Sequence, residues 1–242
     1  MVKTNGLNVR LYVEGYDLSG DANALSGLGY TNELLDVTTL DVSARKRIVG
    51  MVDAEVSVDA WFDNAASKQH AVWTSNSGKL PTADQDILVP MGSAAGDPFV
   101  GLIAKQGTYS TTRAPGSAIA ASAVFSANAT GVEYGEMLTA FDDTHASAGS
   151  GTVVDSGASS SNGGTGYLQV LSVASGSVTV NLQEATSSGG SYSNFMTFST
   201  VATAAAPAAE RLTMEGTVQR YIKVTTTGTF SNAKIVIGFS RS

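Results

Sequence analysis

Asp53, Glu55 and Asp59, in the run MVDAEVSVDAWFD, are the side chains best placed by type and spacing to do chemistry. In an extended strand alternate side chains share a face, so Val52, Ala54, Val56, Val58, Ala60 and Phe62 form an apolar side and Asp53, Glu55, Ser57 and Asp59 the opposite one. Carboxyls two residues apart then lie about 6.6 Å from each other, inside the window of about 5 to 9.5 Å used by paired acids in glycoside hydrolysis. That chemistry needs one of the two buried, and the run offers a sugar only Trp61 as a platform. Two other readings stand beside the hydrolase. The row is a solvated sheet face, or it lines a wet space through which a polyanion slides, because negative walls repel phosphates and release no counterions.

A second cluster, Arg45, Lys46 and Arg47 in ARKRIVG, is too small a basic footprint to grip nucleic acid in an acidic chain. It suits acids such as Asp17, Asp21 or Asp36 of another copy, where complementary charge sets register, or else an ordinary solvated loop. His70 and His145 stand apart, outside any HExxH or GxSxG setting, and read as a half-buried helix residue and a solvated one. Asp17, Asp21 and Asn23 lack the closing glutamate of a calcium loop and read as turn residues. GLGYTNE and GSGTVVDSG lack the lysine of a phosphate cradle. No catalytic residue, metal or cofactor is expected.

The composition agrees with a non-catalytic reading. The 242 residues carry a net charge of -7, and 15 of the 21 acids precede position 139. The front of the chain therefore carries the field, which disfavours general binding to phosphate backbones. The absence of cysteine excludes disulfides, thiolate metal sites and cysteine nucleophiles, and fits a reducing cytoplasm. MVKTNGLNVRLYVEG has no apolar core of signal-peptide length, and no run approaches the ~18 apolar residues of a spanning helix. The expectation is a soluble, unexported chain with no membrane partner.

These residues must be positioned by strands. NVRLYVEGY alternates, DLSGDANALSGLG reads as turns, and YTNELLDVTTLD and the quoted acidic run read as two long strands joined by a loop over Asp41–Gly50. Asp63 or Asn64 is placed to cap one helix over AASKQHAVWTSN. Strands return in DQDILVPM, DPFVGLIAKQGTYSTTR, SAIAASAVFSAN and GVEYGEML. TAFDDTHASAGSGTVVDSGASSSNGGTG reads as a linker or long loops, which puts a boundary near Ala140 between units 1–140 and 141–242. Six strand-like runs follow, from YLQVLSVAS to NAKIVIGFSRS, with a turn every ten or so residues, the cadence of a β-sandwich or jelly roll.

In their order, YVEGYDLSGDANALS and ELLDVTTLDVSARKRIVGMVDAEVSVDAWFD resemble the front of tail tube (major tail) proteins of long-tailed bacteriophages. GTGYLQVLSVASGSVTVNLQEATSSGGSYSNFMTFSTV and TVQRYIKVTTTGTFSNAKIVIGF are similar to a jelly-roll module appended to many phage tail and fibre proteins. The resemblance implies an all-β chain: a tail-tube-type sandwich with one flanking helix, then a C-terminal jelly roll. It implies further that six copies close a ring whose inner strands form one β-barrel, and that rings stack into a conduit for DNA ejection. The implied partners are other copies, a tape measure protein, tail terminator and baseplate proteins, and DNA in transit. The implied place is the virion, after assembly in the bacterial cytoplasm. Asp53, Glu55 and Asp59 would line the bore, unless AIAASAVFS does so, and the loop with Arg45, Lys46 and Arg47 would reach a neighbour. The appended module would decorate the outside, where Tyr192, Arg220 and Tyr221 either contact a host glycan, making the chain an adhesin, or fill core and turn roles.

Overall fold

The computed structural model describes residues 9–75, 77–141 and 143–242, and the chain in it is nearly all antiparallel β. The front half comprises β1 (Tyr12–Val13), β2 (Tyr16–Asp17), β3 (Ala22–Asp36), β4 (Arg47–Trp61), helix α1 (Gln69–Trp73), β5 (Gln85–Pro90), β6 (Pro98–Thr112), β7 (Ala120–Ala127) and β8 (Glu133–Met137). Neighbouring strands run β3-β4-β7-β6-β5-β1-β2. β6 serves two sheets. Phe99 to Ala104 pair with β5 on one edge and Pro98 to Gly101 with β8 on the other, and Ala104 to Thr112 pair with β7. Its sequence carries that switch. Phe99, Val100, Gly101 and Leu102 are all buried, as a strand enclosed on both faces requires, and after the exposed Pro98 at the strand's start, exposed residues appear only from Lys105 onward. A bulge between Gln106 and Thr108 marks the change. The apolar sides of β4 and β7 pack with Leu11, Val13, Ile87, Val89, Val100, Leu102 and Trp73 into one core.

Several expectations need correction here. The stretch read as turns after Asp17 is strand from Ala22 on, because its small residues tolerate the pleat; Gly27 takes a left-handed conformation (φ 75°) and a bulge follows at Leu28 and Gly29, which both face Glu55. NVRLYVEGY is two two-residue strands around a tight turn at Glu14 and Gly15, with Asn8 outside the described residues. The loop after β3 runs from 37 to 46, so β4 begins within the stretch expected to be loop. The helix is only five residues long; Lys68 stands at its N-cap without a side-chain cap. Asp63 instead accepts from the Ala65 amide, and Ser67 and Ser75 take left-handed conformations that bracket the helix.

The back half adds β9 (Asp143–His145), β10 (Gly149–Asp155), β11 (Gly164–Ala185), β12 (Ser193–Thr197), β13 (Val201–Ala202), β14 (Ala208–Met214), β15 (Tyr221–Thr227) and β16 (Phe230–Arg241). The expected linker therefore contains two strands, and His145 lies in β9, its side chain 9% exposed and 3.5 Å from Asp143. YLQVLSVAS and GSVTVNLQEAT are one 22-residue strand, β11. Its first part pairs with β14 and β16, its second with β12, β13 and β15, so it too serves both layers of a sandwich.

The halves share a seam. β8 pairs with both β6 and β16, and Tyr12, Leu88, Phe99, Met137, Tyr167 and Val236 form a fully buried cluster drawn from both halves. Space for its rings comes from glycine: a Cβ at Gly101 would stand 2.8 Å from Tyr167, and one at Gly238 2.7 Å from Phe99. Phe99 and Tyr167 meet edge to face at 5.8 Å. Emptying this site should be costly. Phe99→Ala is expected to lower stability by about 3–5 kcal/mol in equilibrium urea unfolding.

Candidate functional site

The distal half of β6 with β7, β4 and β3 forms a four-stranded sheet of two unlike faces. On β4, Ala54, Val56, Val58 and Ala60 are buried while Asp53, Glu55 and Asp59 are exposed. Cross-strand register extends that outer face sideways. Asp59 lies between Ala24 and Ser122, Ser57 between Ser26 and Val124, and Glu55 opposite Ser126. Ser122 in turn meets Ser110 of β6, with hydroxyls 2.8 Å apart. AIAASAVFS, the alternative lining strand, is β7, directly beside β4, so the two candidates share one surface. Lys105 stands opposite Ser126 and is engaged by Asp84 at 2.8 Å. Among the described residues none of the three acids makes an ion pair. Their mutual repulsion is small, about 0.6 kcal/mol per pair at 6.6 Å in water. No wall buries one of them, so the arrangement lacks what glycosidic acid catalysis requires.

Beyond Glu55 the ladder to β7 ends, and β3 and β4 continue as a two-stranded arm. Tyr30, Leu34, Leu35, Ile48, Val49, Met51 and Val52 are exposed on it, which departs from the expectation that Val52 faces the core. Because consecutive residues are exposed in pairs, both faces of the arm are apolar and wet. Leu40 and Val42 continue this into the tip. The tip is ordered by short polar links: Asp36 accepts from the amide and hydroxyl of Thr38, which holds its carboxyl below the usual range, and the Val37 amide donates to Lys46 O at 2.9 Å. Arg45, Lys46 and Arg47 crown it with no acid in ion-pair reach among the described residues. Asp36 is the cross-strand neighbour of Arg47 on the same arm.

The other expected residues lie elsewhere. Asp17 is engaged by Arg10 at 3.1 Å and by Ser19, and Asp21 is buried, 3.5 Å from Lys68 and accepting from the Gln69 amide. His70 meets the Tyr109 hydroxyl at 2.8 Å, beneath the sheet. In the back half Tyr192 carries Lys223 over its ring at 4.2 Å, and Arg220 lies 5.0 Å over Tyr221. Arg220 grips Asp155 through two bonds of 2.6 and 2.7 Å, which depress that carboxyl to about pKa 2. No sequence pattern pointed to the polar seam of Glu14, Asp86, Glu133, Tyr167 and Arg211, whose members are separated by up to two hundred residues.

No family model and no curated protein matches the chain. Solved structures to which the chain is similar include chains of a phage and of related particles. One is a chain of the virion of a native gene transfer agent particle, 14% identical, covering 55% of this chain and 98% of its own, TM-score 0.41. Another belongs to the sheath-tube complex of the extracellular contractile injection system PVC in its extended state, 12% identical, 55% and 92%, TM-score 0.43. The Dit protein of phage SPP1, described as a hub adsorption apparatus paradigm, is 11% identical and spans 96% of this chain and 98% of its own, TM-score 0.38.

Because the acid row is solvated and unpaired, it should contribute little to folding. Asp53→Asn, Glu55→Gln and Asp59→Asn are each expected to shift stability by no more than about 0.5 kcal/mol in urea titrations.

Proposed function

We propose that this chain is a structural subunit of a phage tail tube, in which copies join their four-stranded sheets edge to edge around a bore. One observation carries the reading: a sheet apolar on one side and acidic or small on the other, with both edges open and an apolar arm at one end. Among the described residues β3 has a ladder only to β4, and β6 beyond Ala104 only to β7. Joining copies through these edges removes them, as a closed barrel does. In the resulting ring, six-membered as in the family resembled, Asp53, Glu55 and Asp59 face the water-filled channel. DNA passes without the counterion release that would hold it. The arm lies on the next copy or ring, with Arg45, Lys46 and Arg47 meeting acids there. A tape measure protein fills the bore before ejection, and terminator and baseplate proteins close the ends.

Residues 141–242 form the outward unit in this reading. Tyr192, Tyr221, Arg220 and Lys223 gather on its outer face, which favours a second function, adhesion to a host glycan through two adjacent rings and their cations. A glycan array would test that role, and binding that survives Tyr192→Ala with Tyr221→Ala would reject it.

Negative-stain images of the purified chain should contain rings or hollow rods; a monomer under all conditions would overturn the tube. Leu34→Asp with Met51→Asp, or Arg45→Glu with Arg47→Glu, should abolish or shorten the rods while leaving the circular dichroism spectrum unchanged. Lysine at positions 53, 55 and 59 should preserve rods but slow genome ejection, measured as DNA release over time.

A further inference from the structure

Where the halves meet, the turn between β1 and β2 is pressed into a slot between β11 and β14. Gly15 takes a left-handed conformation (φ 79°), and a Cβ there would stand 2.5 Å from Ala208 N and 2.8 Å from Val170 O. Its amide donates to Gln169 Oε1 at 2.6 Å, and the buried Gln169 donates from Nε2 to Asp86 O at 3.1 Å. Glu14 and Asp86 are tied twice: the Glu14 amide donates to Asp86 O at 3.1 Å, and the Asp86 amide to Glu14 Oε1 at 2.6 Å. Two half-buried carboxyls are thereby drawn close to one another.

Among the described residues their surroundings offer no free countercharge. Asp86 Oδ1 is buried without a hydrogen-bond donor. The charged groups facing it are Glu14 from the turn, Asp84 at the start of its own strand, and Glu210 and Arg211 from β14. Asp84 is held by Lys105, and Glu210 accepts from the amide and hydroxyl of Ser199. Arg211, the one cation among these described groups, is already committed to Glu133 through bonds of 3.0 and 2.8 Å, with the Tyr167 and Thr165 hydroxyls completing the shell of that carboxylate. Burial, reinforced by the charge of Glu14, pushes the Asp86 carboxyl up to about 7, and burial raises Glu14 as well.

We propose that the seam is a proton-operated latch: a proton held between Glu14 and Asp86 keeps the β1–β2 turn seated between β11 and β14, and its loss unseats the turn. The halves stay joined through β8 and the cluster around Phe99 in either state. Both carboxyls bind protons more tightly when the seam is shut. The stabilisation is therefore complete below the free aspartate value of 3.8 and is spent progressively as the pH climbs to about 7, above which it stays lost. This latch does not depend on the tube reading.

Amide hydrogen exchange on the full chain, read by NMR from pH 5 to 8.5 and corrected for intrinsic rate, tests it. Protection of the Gly15 amide should fall by up to about tenfold per pH unit until about pH 7 and then level off, while that of Val56 in the front core should not follow. Asp86→Asn should flatten the Gly15 profile; Glu14→Gln should do so from the other side of the pair, and serves alone if the first variant does not fold. A flat wild-type profile, or one with the same slope in a folded variant, would overturn the latch.

Discussion

Backbone amides and carbonyls at the margin of a sheet need partners, and among the described residues no strand supplies them along the outer edge of β3 or the distal part of β6. Water satisfies these groups in a lone chain, but it does not relieve the second demand, the apolar arm. Two strands alone bury too little surface to offset the entropy of ordering them, so an arm exposing Leu34, Ile48, Met51 and their neighbours is incomplete by itself. Polar groups of the margins specify direction and register for a partner, while the arm supplies area. The acid row adds no adhesion, which is consistent with a face meant to remain wet.

The seam between the halves follows a different logic. Its centre is aromatic, fitted against backbone at Gly101 and Gly238 where no side chain intervenes. Around that centre lies a polar ring in which Glu133, Arg211, Tyr167 and Thr165 satisfy one another. Such a partly buried ion pair adds little net stability against an apolar replacement, yet removing one member strands the other. The polar ring therefore fixes how the halves fit more than how strongly they hold.

Much of the architecture was legible because strand periodicity is local. The two-sidedness of β4 follows from alternation alone, and the turn cadence of the back half marks most of its strands. Three features escaped for physical reasons. Small residues in DANALSGLG resemble turns although they form a bulged strand, β11 hides its continuity behind Gly176, and the helix over AASKQHAVWTSN is cut short by backbone strain at Ser67 and Ser75. Of the candidate site, the acids and the basic tip were readable by type, but the apolar arm was not. Val49, Met51 and Val52 look like core residues until the end of the β7 ladder shows that nothing covers them. The Glu14–Asp86 pair was invisible for the opposite reason, since its meaning arises only from elements distant in the chain.

Membership of β6 in two layers has a mechanical corollary. One covalent backbone crosses between them, so neither layer can slip past the other without bending that strand. Compliance concentrates at the irregularity around Gly107, where one residue is out of step with β7. Stress applied to the arm is therefore handed toward β5 and β8 through this strand as well as through the shared core, with a soft point at the bulge.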